Sequence, residues 1–303
     1  MKRILAIFAV LALPSLASAA EGGSSGLPPA AAQFHLGPLV VTNSMVVTWL
    51  VALGLILFAQ VATRSMQMVP SGMQNFAEWL VESLYEFLEG ILGHDLIKKS
   101  FWFFGTLFIF ILFTNWFGLI PGVGTIGWGH EVNGHFHATE PLLRGGNADL
   151  NTVSALAMLF FVFWTIWALQ ANGVKGFLLH IFDIKSAGSG AMALFMGAIF
   201  IFVGLIEIIS IAFRPVSLSF RLYGNIFAGE NILESMMVLV PWLGWLLPLP
   251  FYFLELLVGL VQALVFTLLT AVFTALICSH GDDHGPAKGH GHDKEHAHAG
   301  AHH

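Results

Sequence analysis

The sequence predicts an all-α polytopic membrane protein: five membrane helices plus one amphipathic surface helix, the last two membrane helices long and tilted. Three observations carry that prediction. The 303 residues are 56% hydrophobic and only 10% charged, with a mean hydropathy of +0.79, which excludes an ordinary soluble globular domain. Apolar runs long enough to cross a bilayer recur along the chain. One stretch, residues 73–93, instead interleaves apolar and acidic residues at helical spacing.

Residues 1–20 read as a secretory signal peptide. Lys2 and Arg3 precede an apolar run, and Ala17-Ser18-Ala19 fits a small-x-small cleavage site. A short, uncleaved first membrane segment is the alternative. Residues 21–44, rich in Gly, Ser, Pro and Ala, form an exported N-terminal segment, and residues 45–278 the membrane domain. Residues 46–61 are an uninterrupted apolar span. Over residues 73–93, Phe76, Leu80, Leu84, Phe87 and Leu88 share a helical period with Glu78, Glu82, Glu86 and Glu89 between them; such a helix belongs on the membrane surface. Residues 101–120 span again and stop at Pro121-Gly122. A loop rich in Gly and His follows over 123–149, then a span to about Asn172 and a linker over 175–190.

Residues 191–240 are apolar except for one polar stripe and Pro215. A single crossing puts Arg64, Lys98, Lys99, Lys175, Lys185, Lys288 and Lys294 on the cytoplasmic side and leaves only Arg144 in an outside loop. The positive-inside rule favours that arrangement over two crossings, so one long, tilted helix is expected, with Pro215 accommodated as a kink. Residues 251–278 make the last span. The tail, residues 279–303, carries eight histidines among Gly, Ala, Asp and Lys. A disordered cytoplasmic tail is expected there, and its irregular spacing argues against a dedicated metal site.

Chemistry concentrates where charge enters the apolar region. A charged side chain at mid-bilayer costs about 2.5–3.5 kcal/mol on insertion scales, yet residues 214–230, RPVSLSFRLYGNIFAGE, hold two arginines, an asparagine and a glutamate. At about 100° per residue, Glu207, Ser210, Arg214, Ser217, Asn225 and Ala228 fall within roughly 40° of Arg221. Small residues along such a face admit close approach by another helix. Glu230 lies about 180° away and needs a different partner. Glu255 and Gln262, seven apart, share one face of the last helix. If the last two helices form a hairpin, Glu230 can face Glu255, and two carboxylates in a low-dielectric site cannot both ionise cheaply, so the pair can take up and release protons. Arginine stays charged in proteins and suits a gate rather than a carrier.

Blander readings exist for each residue alone. Glu255, Gln262, Asn225 and Ser217 could be interhelical hydrogen-bonding groups. Arg221 could pair permanently with Glu207 or Glu230, and Arg214 could snorkel to an interface. Taken together, four ionisable groups at membrane depth favour ion movement over a purely structural anchor. An independent ion-coupled transporter should show paired repeats around a central cavity, and the sequence has no internal repeat. There is no basic patch for nucleic acid and no Gly-rich phosphate loop with Lys-Ser/Thr. Cys278 is the only cysteine, which excludes an intramolecular disulfide.

PVSLSFRLYGNIFAGE resembles the signature of the a subunit of rotary F-type ATP synthases. FTNWFGLIPG at 113–122, NADLN at 147–151 and LVQALVFTLLT at 260–270 resemble further family segments. The resemblance implies membrane helices whose last two run strongly tilted along a ring of c subunits. It implies that Arg221 faces the carboxylate of each c subunit and blocks a direct proton leak. Glu230, Asn225, Glu255 and Gln262 match positions lining an inlet half-channel from the exported side; Glu207 and Ser210 match the outlet toward the cytoplasm. Some bacterial members carry histidine where this chain has Glu255, which makes the channel pair here two acids. The family implies further partners in the b subunits of the peripheral stalk, the rest of the ATP synthase and the lipid bilayer. It implies a bacterial inner-membrane location with the N-terminus exported and the C-terminus cytoplasmic. No cofactor, metal or catalytic site is expected in this subunit.

Overall fold

The computed structural model describes residues 33–279, apart from residues 37–38, 65, 121–122, 125, 133–134, 183–190, 240–242 and 244–245. The expected signal peptide, the exported segment up to residue 32 and the His-rich tail beyond residue 279 lie outside the described residues.

Residues Gln33–Leu36 (β1) and Leu39–Thr42 (β2) pair antiparallel and lead directly into α1, Asn43–Thr63. Thr42 caps that helix, its side chain accepting from the Met45 N–H. Helix α2, Met73–Leu92, is separated from α3, His94–Gly118, by Gly93 alone. Helix α2 is amphipathic as its pattern requires. It buries Leu84, Leu88 and Leu92 and exposes Phe76, Trp79, Val81 and Phe87 beside its acids. The Gly- and His-rich loop contains a hairpin, Gly127–Val132 (β3) with His135–Pro141 (β4). The sequence gives no alternation there to announce it.

Helix α4, Leu150–Phe182, is interrupted at Gly173, where φ is 68°. A residue with a Cβ resists that conformation. The membrane-crossing part runs over Leu150–Val174, and helix resumes beyond the break to residue 182, so the expected linker over 175–190 is partly helical. Helix α5, Ala191–Leu239, is one helix of 49 residues with Pro215 inside it. At about 1.5 Å per residue it is roughly 73 Å long, against a hydrocarbon core of about 30 Å, so it must lie strongly inclined or curved. Helix α6, Leu249–Ser279, closes the described chain. Among the described residues, five helices are long and apolar enough to span: α1, α3, α4, α5 and α6.

The core joins α2, α3, α4, α5 and α6 through Leu88, Phe104, Ile111, Phe160, Leu222 and Phe266, among others. Lipid offers no hydrophobic drive between helices, so polar ties carry weight. Side chains of α3 and α4 donate to α6 carbonyls: Asn115 Nδ2 to Gly259 at 3.0 Å, Trp116 Nε1 to Leu256 at 3.1 Å, Trp164 Nε1 to Phe273 at 3.1 Å and Asn172 Nδ2 to Ile277 at 2.7 Å.

Candidate functional site

Helix α5 divides the candidate site. Its face bearing Ile211, Leu218, Leu222 and Ile226 packs inward. Ser210, Ser217, Arg221, Gly224, Asn225 and Ala228 remain exposed on the other. Arg221 has no ion pair or hydrogen bond among the described residues. A guanidinium held at membrane depth without a counter-charge is costly. The small side chains around it leave the guanidinium open to close approach.

Toward the C-terminal half of α5 the polar groups gather at one end of the bundle, where α1, α4 and α6 begin and α3 and α5 finish. Glu230 and Glu255 line one cavity together with Asn115, Gly118, Leu119 and Ile226. The Glu255 carboxylate lies against the bare backbone of Gly229, where any Cβ would collide with it. Asn225 Nδ2 donates to Gln262 Oε1 at 2.7 Å, linking α5 to α6.

Glu230 and Glu255 are thus brought into one cavity, but the closest charge to Glu230 is not an acid. Arg144 Nε lies 3.4 Å from Glu230 Oε2, and the arginine side chain is only 1% exposed. A buried carboxylate needs an opposite charge, and the Arg144-Gly145-Gly146 segment folds back into the helix ends to bring one. The fit is tight: a Cβ on Gly146 would sit 2.7 Å from both Thr114 Cγ2 and Thr48 Oγ1. Buried polar groups anchor the segment. Asn147 Nδ2 donates to Asn115 Oδ1 at 2.7 Å, and Asp149 accepts from Thr42 Oγ1 at 3.1 Å and Ser44 Oγ at 2.8 Å. Arg144, expected in an outside loop, is therefore part of this cluster.

On the N-terminal side of Arg221, Arg214 Nη2 lies 3.2 Å from Glu207 Oε1. Seven residues apart, the two occupy one helix face. Arg214 also stacks over Phe273, 4.4 Å from the ring centroid. It is half-buried against that ring, and it is Arg214, not Arg221, that pairs with Glu207 among the described residues.

The family model described as ATP synthase A chain matches residues 45–275, which is most of the chain. The chain belongs to that family. Relatives named ATP synthase subunit a bear this out. One from Gloeobacter violaceus is 34% identical over 252 residues, covering 83% of this chain and 90% of its own length. One from Moorella thermoacetica is 31% identical over 242 residues, covering 80% and 93%. A third, from Campylobacter jejuni subsp. doylei, is 34% identical over 227 residues, covering 75% and 85%. As an ATP synthase a-subunit family member, the chain is a multi-pass membrane protein of the F-type membrane sector.

Within this family member, the residues that sequence reasoning overlooked are Arg144, Asn115, Asn147 and Asp149. The last three sit inside the segments FTNWFGLIPG and NADLN, whose resemblance to the family was visible without indicating any contact. Arg144 carries no such marker: a lone cation in a Gly-rich loop looks solvated.

Proposed function

We propose that this subunit is the proton-translocating stator of the ATP synthase membrane sector, coupling proton flow to ATP synthesis without a catalytic site of its own. In this reading Arg221 faces the carboxylate of each passing c subunit. Glu230, Asn225, Glu255 and Gln262 line the inlet half-channel from the exported side. Glu207 and Ser210 lie along the outlet to the cytoplasm, and Ser217 belongs to the ion-translocating stripe around Arg221. A proton enters by the first path, neutralises a c-subunit carboxylate, rides the ring and leaves by the second. The partners are the c ring, the b subunits of the peripheral stalk and the remaining subunits, in a bacterial inner membrane with the N-terminus exported and the C-terminus cytoplasmic.

One observation carries the reading: Arg221 stands exposed and without a partner among the described residues on a face of small and polar residues, between polar clusters displaced toward opposite ends of α5. A fixed cation between two such clusters keeps the paths apart, and its counter-charge would be the c-subunit carboxylate. The test is ATP-driven proton pumping in inverted membrane vesicles containing the whole complex, with Arg221 intact, Arg221→Lys and Arg221→Ala. Both variants should assemble and fail to pump. Pumping that survives Arg221→Ala in a complete complex would make the arginine structural and end this reading.

A further inference from the structure

Two helical turns before Arg221 stands a second guanidinium with a different setting. Arg214 Nη2 contacts Glu207 Oε1 at 3.2 Å, while its Cζ lies 4.4 Å from the Phe273 ring centroid and 5.4 Å from that of Trp164. The aromatic wall is itself fixed. Trp164 is 2% exposed, and its Nε1–H donates to the Phe273 carbonyl at 3.1 Å. Arg214 is therefore held by two independent sets of contacts, one that involves Glu207 and one that does not. Exposure is divided in the same sense: the Arg214 side chain is 21% exposed and that of Glu207 44%. The acid is the open partner and the cation the seated one.

We propose that Arg214 is a positioning residue for Glu207: a counter-charge seated on Phe273 and Trp164 that keeps its place while Glu207 carries a proton and re-forms the ion pair when the proton leaves. The proposal rests on the function proposed above, in which Glu207 lies along the outlet. A proton arriving at Glu207 makes an O–H bond on the carboxylate and cancels its charge; the same proton departs to water and restores it. During that interval an arginine held by the ion pair alone would be free to swing away. Here the ring contacts remain, since they depend only on the permanent charge of the guanidinium. Arg221 cannot substitute, because it stands fourteen residues from Glu207, roughly 21 Å along the helix axis. Lysine could keep the charge but not the planar stacking.

The test uses the same vesicles and the intact complex. Arg214→Gln should slow ATP-driven pumping about tenfold, the change in rate that about 1.36 kcal/mol represents. Arg214→Lys should recover part of the loss. The double variant Arg214→Gln/Glu207→Gln should be no slower than Glu207→Gln alone, since the arginine acts through the glutamate. A merely structural arginine would instead give additive losses. Should Arg214→Gln fail to assemble, Phe273→Leu leaves both charges in place and should still slow pumping. A native rate for whichever of the two assembles, or losses that add in the double variant, would overturn the proposal. Arg221→Ala in the same preparation separates the two readings. Pumping lost there but untouched by Arg214→Gln and Phe273→Leu removes this inference alone, whereas pumping that survives Arg221→Ala removes the proposed function beneath it.

Discussion

Arg144 Nε lies 3.4 Å from Glu230 Oε2, joining residues 86 positions apart, with the arginine side chain 1% and the glutamate 14% exposed. Removing one member of a buried pair strands the other charge at a cost of about 3–5 kcal/mol, whereas replacing both with apolar groups is often neutral or better. Arg144→Leu should therefore lower the thermal unfolding midpoint in detergent, and Arg144→Leu/Glu230→Leu should bring it back toward the native value. Pumping should stay lost in the double variant if Glu230 lies on the proton path. A double variant less stable than Arg144→Leu would show that the two side chains do not act as a pair.

Gly229→Ala opposes two effects. Alanine gains about 1 kcal/mol over glycine in a helix interior, but overpacking costs about 1–3 kcal/mol. The added methyl would occupy the position of the Glu255 carboxylate, so the clash should win and push Glu255 from the cavity it shares with Glu230. Pumping should fall about as far as with Glu255→Gln, and combining the two changes should add little. Native pumping in Gly229→Ala would show that the placement of Glu255 is immaterial.

Asn225 and Gln262 separate stability from transport. Hydrogen bonds between membrane helices average about 0.6 kcal/mol, so losing the 2.7 Å contact through Asn225→Ala should barely move the unfolding midpoint. Because Gln262 then loses the contact that orients its buried amide, pumping should drop clearly. Parallel unfolding and pumping measurements decide it, and equal insensitivity in both would leave Asn225 without a role in positioning Gln262.

Asp149 is 5% exposed and uses both carboxylate oxygens: Oδ2 accepts from Thr42 and Ser44, Oδ1 from the Asn151 N–H. Each buried donor left unsatisfied costs about 1–3 kcal/mol. Asp149→Asn has only one oxygen to offer and should be destabilising despite its matching shape, with Asp149→Ala worse. Proteolysis near the start of α1 should rise in the same order. Native resistance in both variants would mean that Asp149 does not secure that end of the helix.

The spanning helices were legible because apolar runs of membrane length permit few alternatives, and the single long α5 followed from where the basic residues lie. Helical angles set Arg221 in a small, polar face and Glu230 opposite it. What they could not supply was Glu230's neighbour. Arg144 belongs to a segment with no period, and the folding-back that brings it in depends on Gly146 fitting between Thr48 and Thr114, a relation among three distant positions. The β3–β4 hairpin escaped for a similar reason, since backbone pairing in a Gly- and His-rich stretch leaves no alternation to read. Arg214 was visible as a charge; its seat on Phe273, in another helix, was not.

The α6 carbonyls of Leu256, Gly259, Phe273 and Ile277, which accept from α3 and α4 side chains, have a mechanical consequence. Successive steps of about 100° put all four within roughly a third of the helix circumference, two near its start and two near its end. A rod gripped along one side at both ends cannot spin about its own axis without breaking those grips. The azimuths of Glu255 and Gln262 are thereby locked to the rest of the bundle, and angular play between the two inclined helices falls to α5.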